Sequence, residues 1–525
     1  ADIVAADDGS VEDQDQPGDG GSMTDAPAAA SSAAALARIS VKTDGMVRVT
    51  YEQLLAAGID LKAVVSDKLA LVSQGRPVPI LVTSTGRTFG AGSTIEFYGE
   101  AIKGQYTRTN VYDLLGNSVN RQSIGVFKTT KKLSGKPAAS YVETLTLDNN
   151  REYWNTSPSD DPWYDIEMLA FGGPGSWSVP VTVDNVAPGT GTLTLKTWGG
   201  TDWEGDADHH LKASFNGTAI VDDHFDGLTV FEPRIDLANG LLRNGANTLD
   251  LTLPGDTGFD FDLVNFDGLQ LRYPRAFVAR DGKLSFTAAG EVFQVSKLSS
   301  AGVAVYRFAD GALPVRYDNV STARQPDGSY TATFQGLPGT ARYEVLSAPP
   351  AGPAAVAPMR SSADITAKAT DYVMIAHPNF IAGIQPLVDF HRARGLRVKV
   401  VDVRDVYDRY SFGVFDPLAI KAYLADAKAA GVRFTLLVGG DTYDYLNHAN
   451  PGAMSFIPTL YARTDPIVHF APVDSQLADV DDDGDPDLAI GRFPVRTTAE
   501  LGSMVSKTLA YAGKGQRQMV LALIN

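Results

Sequence analysis

The hydrophobic periodicity of this chain changes between residues 350 and 371, and that change limits the folds open to it. Before it, apolar and polar residues alternate over short runs such as Thr192–Trp198, as in half-buried strands. After it, continuous apolar runs such as Tyr372–Ala376 alternate with helical spacing, as buried parallel strands and crossover helices require. We therefore expect a multidomain protein with an amino-terminal all-β part and a carboxyl-terminal α/β part.

The β part carries frequent turn signals between short predicted strands. Asn216-Gly217, for example, ends the alternating run Leu211–Asn216, and a short helix is expected at Thr50–Gly58. Repeated short strands with such turns indicate antiparallel sandwiches. The predicted units are a β-rich domain at 37–150, a jelly-roll-like β-sandwich at 151–275 and a small β domain at 276–350.

A Pro- and Ala-rich linker is predicted at 351–370, followed by a doubly wound α/β region at 371–525. Asp416-Pro417 is a helix start, and Gly431 ends that helix. The other predicted elements are the strands Tyr372–Ala376, Leu396–Val401, Phe434–Val438, Leu488–Gly491 and Met519–Ile524, and the helices Ile384–Arg394 and Thr498–Ala512.

The net charge of −17 is concentrated in two segments. Residues 1–37 and 464–491 each contain eight acidic residues and neither Lys nor Arg. Without these sixteen, 46 acidic residues face 45 basic ones, so the body of the chain is nearly neutral. No Lys/Arg cluster suits nucleic acid, which is therefore not an expected partner. Residues 1–36 are predicted to be a disordered acidic leader.

Two absences from the sequence exclude whole classes of protein. No apolar run approaches the roughly 18 residues of a membrane span, so the chain is not expected to be membrane-spanning. Cysteine is absent, so these 525 residues contain no disulfide, no thiolate metal site and no cysteine nucleophile.

The position of Asn525 suggests a longer product. It directly follows the predicted strand Met519–Ile524. Ligands of open α/β sheets bind beyond the carboxyl ends of the strands, where a core strand leads into a functional loop. We therefore expect this chain to be the front part of a longer polypeptide.

An acidic turn, DVDDDGDPD at 479–487, is the sharpest local motif. It has Gly484 at loop position 6 and oxygen ligands at positions 1, 3, 5 and 9, like the front of a Ca²⁺ loop. Position 12 holds isoleucine instead of the EF-hand carboxylate, so a different Ca²⁺ site completed by backbone carbonyls is expected. A solvated acidic turn is the alternative, although so many uncompensated carboxylates would repel one another.

Other candidate residues give weaker signals. His377 and His448 lie near predicted carboxyl-end loops, and Asp441 directly follows a predicted strand, where a carboxylate positions a substrate or caps a turn. No H-E-x-x-H, G-x-S-x-G or Walker-type motif occurs. In the sandwich, three residues are candidates for lining a sugar or peptide groove, with a core role as the alternative for the tryptophans: Trp198, Asp202 and Trp203.

Residues 371–525 resemble the catalytic region of the gingipain-like cysteine peptidases. Four segments carry the resemblance: YVMIAHP, LVDFHRARGLRVKVVDV, FDPLAIKAYLADAKAAG with FTLLVGGD, and DVDDDGDPDLAIGRFPVRTTAELGSMVSKTLAYA. The β-rich part resembles the amino-terminal region of family members linked to type IX secretion, including the sortase-like ones. That similarity rests mostly on DFDLVNFDGLQLRYPR at 260–275.

The resemblance implies a secreted or cell-surface, extracytoplasmic peptidase with a caspase-like α/β fold, a structural Ca²⁺ ion and protein or peptide substrates. It implies Ca²⁺ ligation by the Val480 carbonyl and by the carboxylates of Asp483, Asp485 and Asp487. Together with the loop positions, the predicted metal site comprises Asp479, Val480, Asp481, Asp483, Asp485 and Asp487.

The family's catalytic dyad is a His in a His-Gly pair and a later Cys, and no position of this sequence matches either one. No catalytic residue is therefore predicted here, and the chain cannot perform cysteine-peptidase chemistry alone. Its expected partner is its own carboxyl-terminal segment.

Three hypotheses follow for the function. The first is the amino-terminal portion of a secreted gingipain-like cysteine endopeptidase, with the dyad beyond this chain. The second is a non-catalytic secretion-scaffold or binding protein that retains the peptidase platform. The third is a carbohydrate-binding sandwich fused to an unrelated α/β hydrolase.

Overall fold

The computed structural model describes residues 35–513 except 120, 129–132, 134, 206, 291 and 319. Two predictions fall outside this part of the chain, namely the last strand Met519–Ile524 and, apart from residues 35 and 36, the acidic leader. Strands dominate up to residue 358, and a parallel sheet with helices follows from residue 372. The predicted fold class, all-β followed by α/β, is confirmed.

The first β unit contains a five-stranded sheet, with order β28–β1–β7–β3–β4, in which β28 is the later segment Ala355–Pro358, and a three-stranded sheet, with order β2–β6–β5. Its helix begins where predicted, because Thr50 caps it. The Thr50 hydroxyl accepts from Gln53 N at 3.1 Å, and the Gln53 side chain accepts from Thr50 N at 2.9 Å. The elements are β1 Ala35–Val41, β2 Gly45–Thr50, α1 Tyr51–Ala56, β3 Ala70–Ser73, β4 Arg76–Val78, β5 Ile80–Thr83, β6 Thr94–Gly99, β7 Asn110–Leu115 and β8 Gly125–Phe127.

The middle of the chain is the predicted antiparallel sandwich. One sheet has the order β12–β20–β14–β17, with β9 on β20 and β18 on β14, and the other has the order β13–β19–β15–β16. Alternate residues of both sheets, such as Leu193 and Leu251, are fully buried in one core. The strands are β9 Tyr141–Asp148, β10 Glu152–Tyr153, β11 Trp163–Tyr164, β12 Ile166–Phe171, β13 Gly175–Val183, β14 Gly191–Gly199, β15 His209–Phe215, β16 Thr218–Phe225, β17 Val230–Phe231, β18 Arg234–Leu237, β19 Gly245–Leu253 and β20 Phe261–Arg275.

The third β unit consists of two small sheets, β21–β27–β23–β24–β8 and β22–β26–β25. Strand pairing crosses the predicted boundary at 150, because β8 joins this unit through β24 and β9 belongs to the sandwich through β20. These strand pairings do not test where one domain ends and the next begins, so the domain limits predicted at 150, 275 and 350 remain predictions. The strands are β21 Lys283–Ala288, β22 Val292–Leu298, β23 Ala304–Phe308, β24 Val315–Tyr317, β25 Ser321–Arg324, β26 Tyr330–Gln335 and β27 Ala341–Leu346.

The predicted linker at 351–370 is packed against both parts of the chain. Strand β28, Ala355–Pro358, pairs antiparallel with β1. Ile365 and Ala367 are buried in the core of the α/β region. The composition of residues 351–370 predicted a linker. In the structure this segment also contributes a strand and two core side chains.

The α/β region is a parallel sheet with the order β30–β29–β31–β34. Side chains of β29 alternate between its faces: Ile375 packs in the core that includes Ile420 of α5, whereas Met374 packs in the core that includes Leu387 of α3 and Leu501 of α7. Helices thus cover both faces, as predicted. The elements are β29 Tyr372–Ala376, α2 Pro378–Ile381, α3 Gln385–Arg392, β30 Val398–Asp402, α4 Val403–Tyr410, α5 Pro417–Ala429, β31 Phe434–Val438, β32 Tyr461–Ala462, β33 Ala471–Pro472, α6 Ser475–Ala478, β34 Ala489–Phe493 and α7 Thr498–Gly513.

Among the described residues, no helix combines the length and the apolar character that crossing a membrane would require.

Candidate functional site

The carboxyl edge of the parallel sheet gathers the residues that follow its four strands. His377 follows β29, Asp402 ends β30, Gly439 follows β31 and Pro494 follows β34. Because all four strands run in the same direction, these positions lie at one edge, where open α/β sheets bind their ligands.

The turn after β31 extends the sheet by two residues. Gly439 N donates to Phe493 O at 3.0 Å and Gly440 N donates to Val495 O at 2.8 Å. Gly439 has φ +152°, and a Cβ there would lie 2.7 Å from Phe456 Cβ. Glycine is therefore required at position 439 by both conformation and space.

Arg492 holds this turn in place through hydrogen bonds and an ion pair. Its Nη1 donates to Gly439 O at 2.9 Å and to Ile457 O at 2.6 Å, and its Nε and Nη2 donate to the two carboxylate oxygens of Asp474, each at 2.7 Å. Burial acts against ionisation of Asp474, but the hydrogen bonds from Arg492 lower its pKa overall. One part-buried bidentate ion pair therefore joins the turn after β31, the segment at 457 and the segment before α6.

Asp441, predicted from its place after β31, is half-buried at this edge. Its Oδ2 accepts from Tyr445 Oη at 2.7 Å and from Thr459 N at 3.2 Å. Burial raises the pKa of Asp441 and also, together with the nearby Asp441 charge, that of Tyr445. The carboxylate thus ties the loop after β31 to the chain at 459.

The two histidines singled out in the sequence have different surroundings. His377 caps α2, with Nδ1 accepting from Asn379 N at 3.3 Å, and lies edge-on against Phe456. Burial lowers the pKa of His377, so the ring is neutral near pH 7. His448 instead packs against Trp163, with ring centroids 4.8 Å apart.

The β-rich region lies against the loops of this edge. Tyr106 packs on Tyr445 at 4.8 Å and Tyr153 packs on Tyr443 at 4.6 Å between ring centroids. Asn155 O also accepts from His469 N at 2.9 Å and from Phe470 N at 3.0 Å. Sequence reasoning missed this surface, because its aromatic residues are separated by about three hundred positions.

Arg492 was missed as well, although its signal is visible in the sequence. An arginine inside a strand of a doubly wound sheet is unusual, because such strands are buried on both faces. The predicted strand ended at Gly491, one residue short of Arg492; a strand extended by one residue would have included the arginine and indicated a carboxylate partner nearby.

The acidic turn brings together three of its six predicted ligands. Ligating oxygens of Asp479, Asp481 and Asp483 lie within 4.8 Å of one another. Asp479 is buried, and its oxygens accept from the backbone N atoms of Asp483 at 3.2 Å and of Gly484 at 3.1 Å. Three carboxylates converge here, and backbone N–H groups of the turn hold one of them, that of Asp479, in place. This arrangement suits a hard cation such as Ca²⁺.

The remaining predicted ligands are engaged elsewhere or lie outside this group. Lys428 Nζ donates to Asp487 Oδ1 at 2.7 Å, and this hydrogen bond lowers the pKa of Asp487. Its other oxygen, Oδ2, accepts from Val480 N at 3.0 Å. Asp485 is exposed and donates its backbone N–H to Asp483 Oδ1 at 2.9 Å.

The groove suggested for the sandwich is not formed by Trp198. This side chain is 1% exposed and packs edge-on against Trp154 and Tyr164, so the core alternative holds for it. Trp203 stacks on Phe259, and its Nε1 donates to Phe261 O at 3.2 Å. Asp202 is exposed beside it.

Comparison with known proteins finds a family whose model matches the α/β region. Residues 365–523 match the family model of Peptidase family C25, the gingipain family. The resemblance predicted from the sequence is confirmed for this part of the chain. A search of the curated proteins gave no match.

Among solved structures, the chain is similar to dimeric latent PorU from Porphyromonas gingivalis, with a TM-score of 0.61 and 18% identity. The similarity covers 91% of this chain and 49% of that one, so this chain spans about half the length of PorU. At this identity the similarity shows the fold, which includes the β-rich region as well as the α/β region.

Two further structures match with TM-scores too low to support an argument. One, titled "Structure of Protease", has a TM-score of 0.22 at 19% identity and covers 28% of this chain and 29% of that one. The other is the CBM36-1 domain of a multidomain xylanase from the hindgut metagenome of Trinervitermes trinervoides, with a TM-score of 0.18 at 19% identity, covering 25% of this chain and 95% of that one.

Proposed function

We propose that this chain is the amino-terminal portion of a secreted gingipain-like cysteine endopeptidase, and that its α/β region is the platform on which the catalytic dyad is assembled. The match of residues 365–523 to Peptidase family C25 supports this proposal most directly. The PorU-like fold over 91% of the chain is consistent with it. A protein or peptide is the proposed substrate class, and the proposed location is outside the cytoplasm.

The nucleophile must come from residues outside these 525. Acyl transfer by a cysteine peptidase needs a thiolate beside an imidazole, and the chain contains no cysteine. His377 has no such role in the proposal, because it caps α2 and packs on Phe456. The chain itself contributes the sheet edge, on which added strands and loops would place the dyad.

Within this platform, Arg492 and Asp474 act as positioning residues. Their ion pair holds the turn after β31 and the segment at 457 in one arrangement. Nucleophilic catalysis requires reacting atoms to be held near attack geometry, so a rigid edge lowers the entropic cost of assembling the site.

The acidic turn is proposed to bind a structural Ca²⁺ ion. Asp479, Asp481 and Asp483 would hold it, and its positive charge would offset their mutual repulsion. The turn lies directly before β34, which carries Arg492. A fixed turn would therefore help to keep β34 in register, and none of the chemistry of the proposed reaction depends on the ion.

A thiol-reactive probe tests the proposal. The complete gene product and the 525-residue chain are treated with an alkylating probe, and labelled peptides are mapped by mass spectrometry. We expect rapid labelling at one cysteine that follows a His-Gly pair in the complete product. A complete product without cysteine, or with only slowly labelled ones, would refute the peptidase proposal.

The non-catalytic scaffold is the second candidate, and the absence of cysteine from 525 residues is the observation that favours it. It predicts that the complete gene product also lacks the dyad and is not labelled by the probe. The same experiment therefore separates the two candidates.

A further inference from the structure

We propose that His210, His224 and Asp256 form a binding site for a divalent transition-metal ion, of the Zn²⁺ class, at one end of the β-sandwich. This site is separate from the acidic turn and independent of the proposed peptidase function. It lies at the end of the sheet where β15 begins, β16 ends and β19 ends.

Topology brings these three residues together. His210 and His224 are directly opposite each other on the antiparallel strands β15 and β16. β15 also pairs antiparallel with β19, and Asp256 lies three residues beyond the end of β19. The three side chains therefore meet although they are separated in sequence.

The distances suit a common ligand. The imidazole rings of His210 and His224 are stacked with centroids 3.8 Å apart, and Asp256 Oδ1 lies 2.7 Å from His210 Nδ1. One ligating atom from each of the three residues lies within 4.8 Å of the other two. Rotation of the two stacked rings out of their parallel arrangement would bring the three atoms to a single ion.

A fourth residue has the position of an outer carboxylate. Asp222 Oδ1 lies 2.8 Å from His210 Nε2, and Lys212 Nζ lies 3.3 Å from Asp222 Oδ2. Metal-ligating histidines commonly donate their second ring N–H to a carboxylate, which fixes the tautomer and orients the ring. With Nε2 donating to Asp222, Nδ1 shares a proton with Asp256 Oδ1 at 2.7 Å, and a metal ion would take the place of that proton.

The donor set selects the class of ion. Two imidazoles and one carboxylate suit Zn²⁺ and its transition-metal neighbours, whereas Ca²⁺ and Mg²⁺ prefer oxygen ligands throughout. His210 is buried, while His224 and Asp256 are exposed. An ion there would be held on one side by the buried His210. On its other side it would keep coordination positions open to solvent or an external ligand.

Metal binding must displace a proton. Burial acts against the charged form of His210, but hydrogen bonds to Asp222 and Asp256 raise its pKa overall. The charged or titratable groups around it are His224 and Asp222 on β16, Lys212 on β15, Asp262 on β20 and Asp256 after β19. We therefore expect metal binding to release the proton that His210 Nδ1 shares with Asp256 Oδ1.

Zn²⁺ titration of the full chain tests the site, with excess Ca²⁺ present to occupy the acidic turn. Binding is measured by competition with a chromogenic chelator, for the wild type, H224Q and H391Q. His391 lies on α3 in a different region, so H391Q is the matched control. We expect H224Q, which changes an exposed side chain, to lose at least about tenfold in affinity and H391Q to bind like the wild type.

Two results would overturn the proposal: no Zn²⁺ binding by the wild type, or equal affinity in H224Q and H391Q. Either result would leave the cluster as an ion-pair network without a metal.

A second pair of variants tests the outer carboxylate. D222N should weaken Zn²⁺ binding by roughly 10- to 100-fold. D223N removes the same charge from the adjacent exposed residue, which pairs with Leu211 and lies on the other face of the strand, and should leave the affinity unchanged. Replacing Zn²⁺ by Co²⁺ gives a spectroscopic check, since imidazole ligation produces visible d–d bands that H224Q should alter. Equal affinities in D222N and D223N would contradict the assigned role of Asp222.

Discussion

Arg492 is a nearly buried guanidinium whose side chain is 11% exposed and whose only ion-pair partner among the described residues is Asp474. Its other hydrogen bonds reach the backbone carbonyls of Gly439, Ile457 and Pro458. Removing one partner of a buried ion pair leaves an uncompensated charge, which costs more than the pair itself contributes.

The first prediction concerns this pair. D474N should destabilise β34 by about 3 kcal/mol, measured as the opening free energy of its amides by native-state hydrogen exchange. The folded pKa of Asp474 is depressed. The loss of opening free energy in D474N should therefore be present above the unfolded pKa of about 3.9 and should vanish as the pH falls through the folded pKa. D389N, a change at an exposed carboxylate on α3, is the control and should stay within about 0.5 kcal/mol. A D474N deficit no larger than the control would contradict the assigned role.

The second prediction concerns Asp441 and has the opposite sign. Burial raises the folded pKa of Asp441. Below about pH 3.9 the carboxyl group is neutral in both the folded and the unfolded state, so its burial does not lower the free energy of unfolding of the wild type. As the pH rises from there through the folded pKa, the wild type loses stability, because folding must then bury a charge. An amide still accepts from Tyr445 and Thr459. The melting temperature of D441N relative to the wild type should therefore increase between about pH 4 and pH 7. A constant or shrinking difference would contradict this account.

At the residue scale, sequence reasoning located single positions better than their roles. Asp441 was singled out by its place after a strand, and the structure shows it tied to Tyr445, a partner four residues along the same loop. The Arg492–Asp474 pair was not foreseen, because nothing in a sequence states which carboxylate will face an arginine eighteen positions away.

The third prediction concerns the acidic turn as an element. Adding Ca²⁺ to chelator-treated protein should raise the melting temperature of the α/β region, because a ligand that binds only the folded state stabilises it. D481N removes one of the three convergent carboxylates and should reduce this shift. D482N makes the same charge change at a residue of the turn that pairs with Lys421, and should largely preserve the shift. Equal melting curves with Ca²⁺ and with chelator would refute the site.

Elements with a strong local signal were predictable. The strands at 372–376 and 434–438 match their predicted bounds, since continuous apolar runs flanked by polar residues leave little choice of limits. Helix α4 was missed, because VRDVYDRY carries four charged residues and the apolar side chains that it buries are those of Val403, Val406 and Tyr407. Its N-cap Asp402, which accepts from Arg404 N at 2.9 Å, was the available sign.

At the scale of the whole molecule, the β-rich region and the α/β region share an aromatic contact surface. Trp163 is 5% exposed and packs against both His448 and Tyr443. This contact covers the loop after β31, which belongs to the candidate site. The two regions are therefore expected to influence each other's local stability.

The fourth prediction tests this coupling. W163A should cost about 3 kcal/mol, because a large buried aromatic side chain is removed, and should speed hydrogen exchange in residues 441–452. W177A, at a half-buried position on β13 of the sandwich, should leave the exchange of that loop unchanged. If both variants affect the loop alike, the contact is not what protects it.

The assembly of the β sheets could not be predicted from local patterns. β8 pairs with β24 and β28 pairs with β1 across about two hundred and three hundred residues, and alternation alone does not specify a partner strand. The order of all-β followed by α/β was predictable, because it depends on periodicity, which each segment carries by itself.

The central claim is that this chain forms the front of a cysteine peptidase whose thiolate lies outside it. The most direct measurement is hydrolysis of a denatured protein substrate by the complete gene product, before and after alkylation with iodoacetamide. The account predicts hydrolysis that alkylation abolishes, and none by the 525-residue chain alone. Hydrolysis that survives alkylation, or that the 525-residue chain performs by itself, would contradict it.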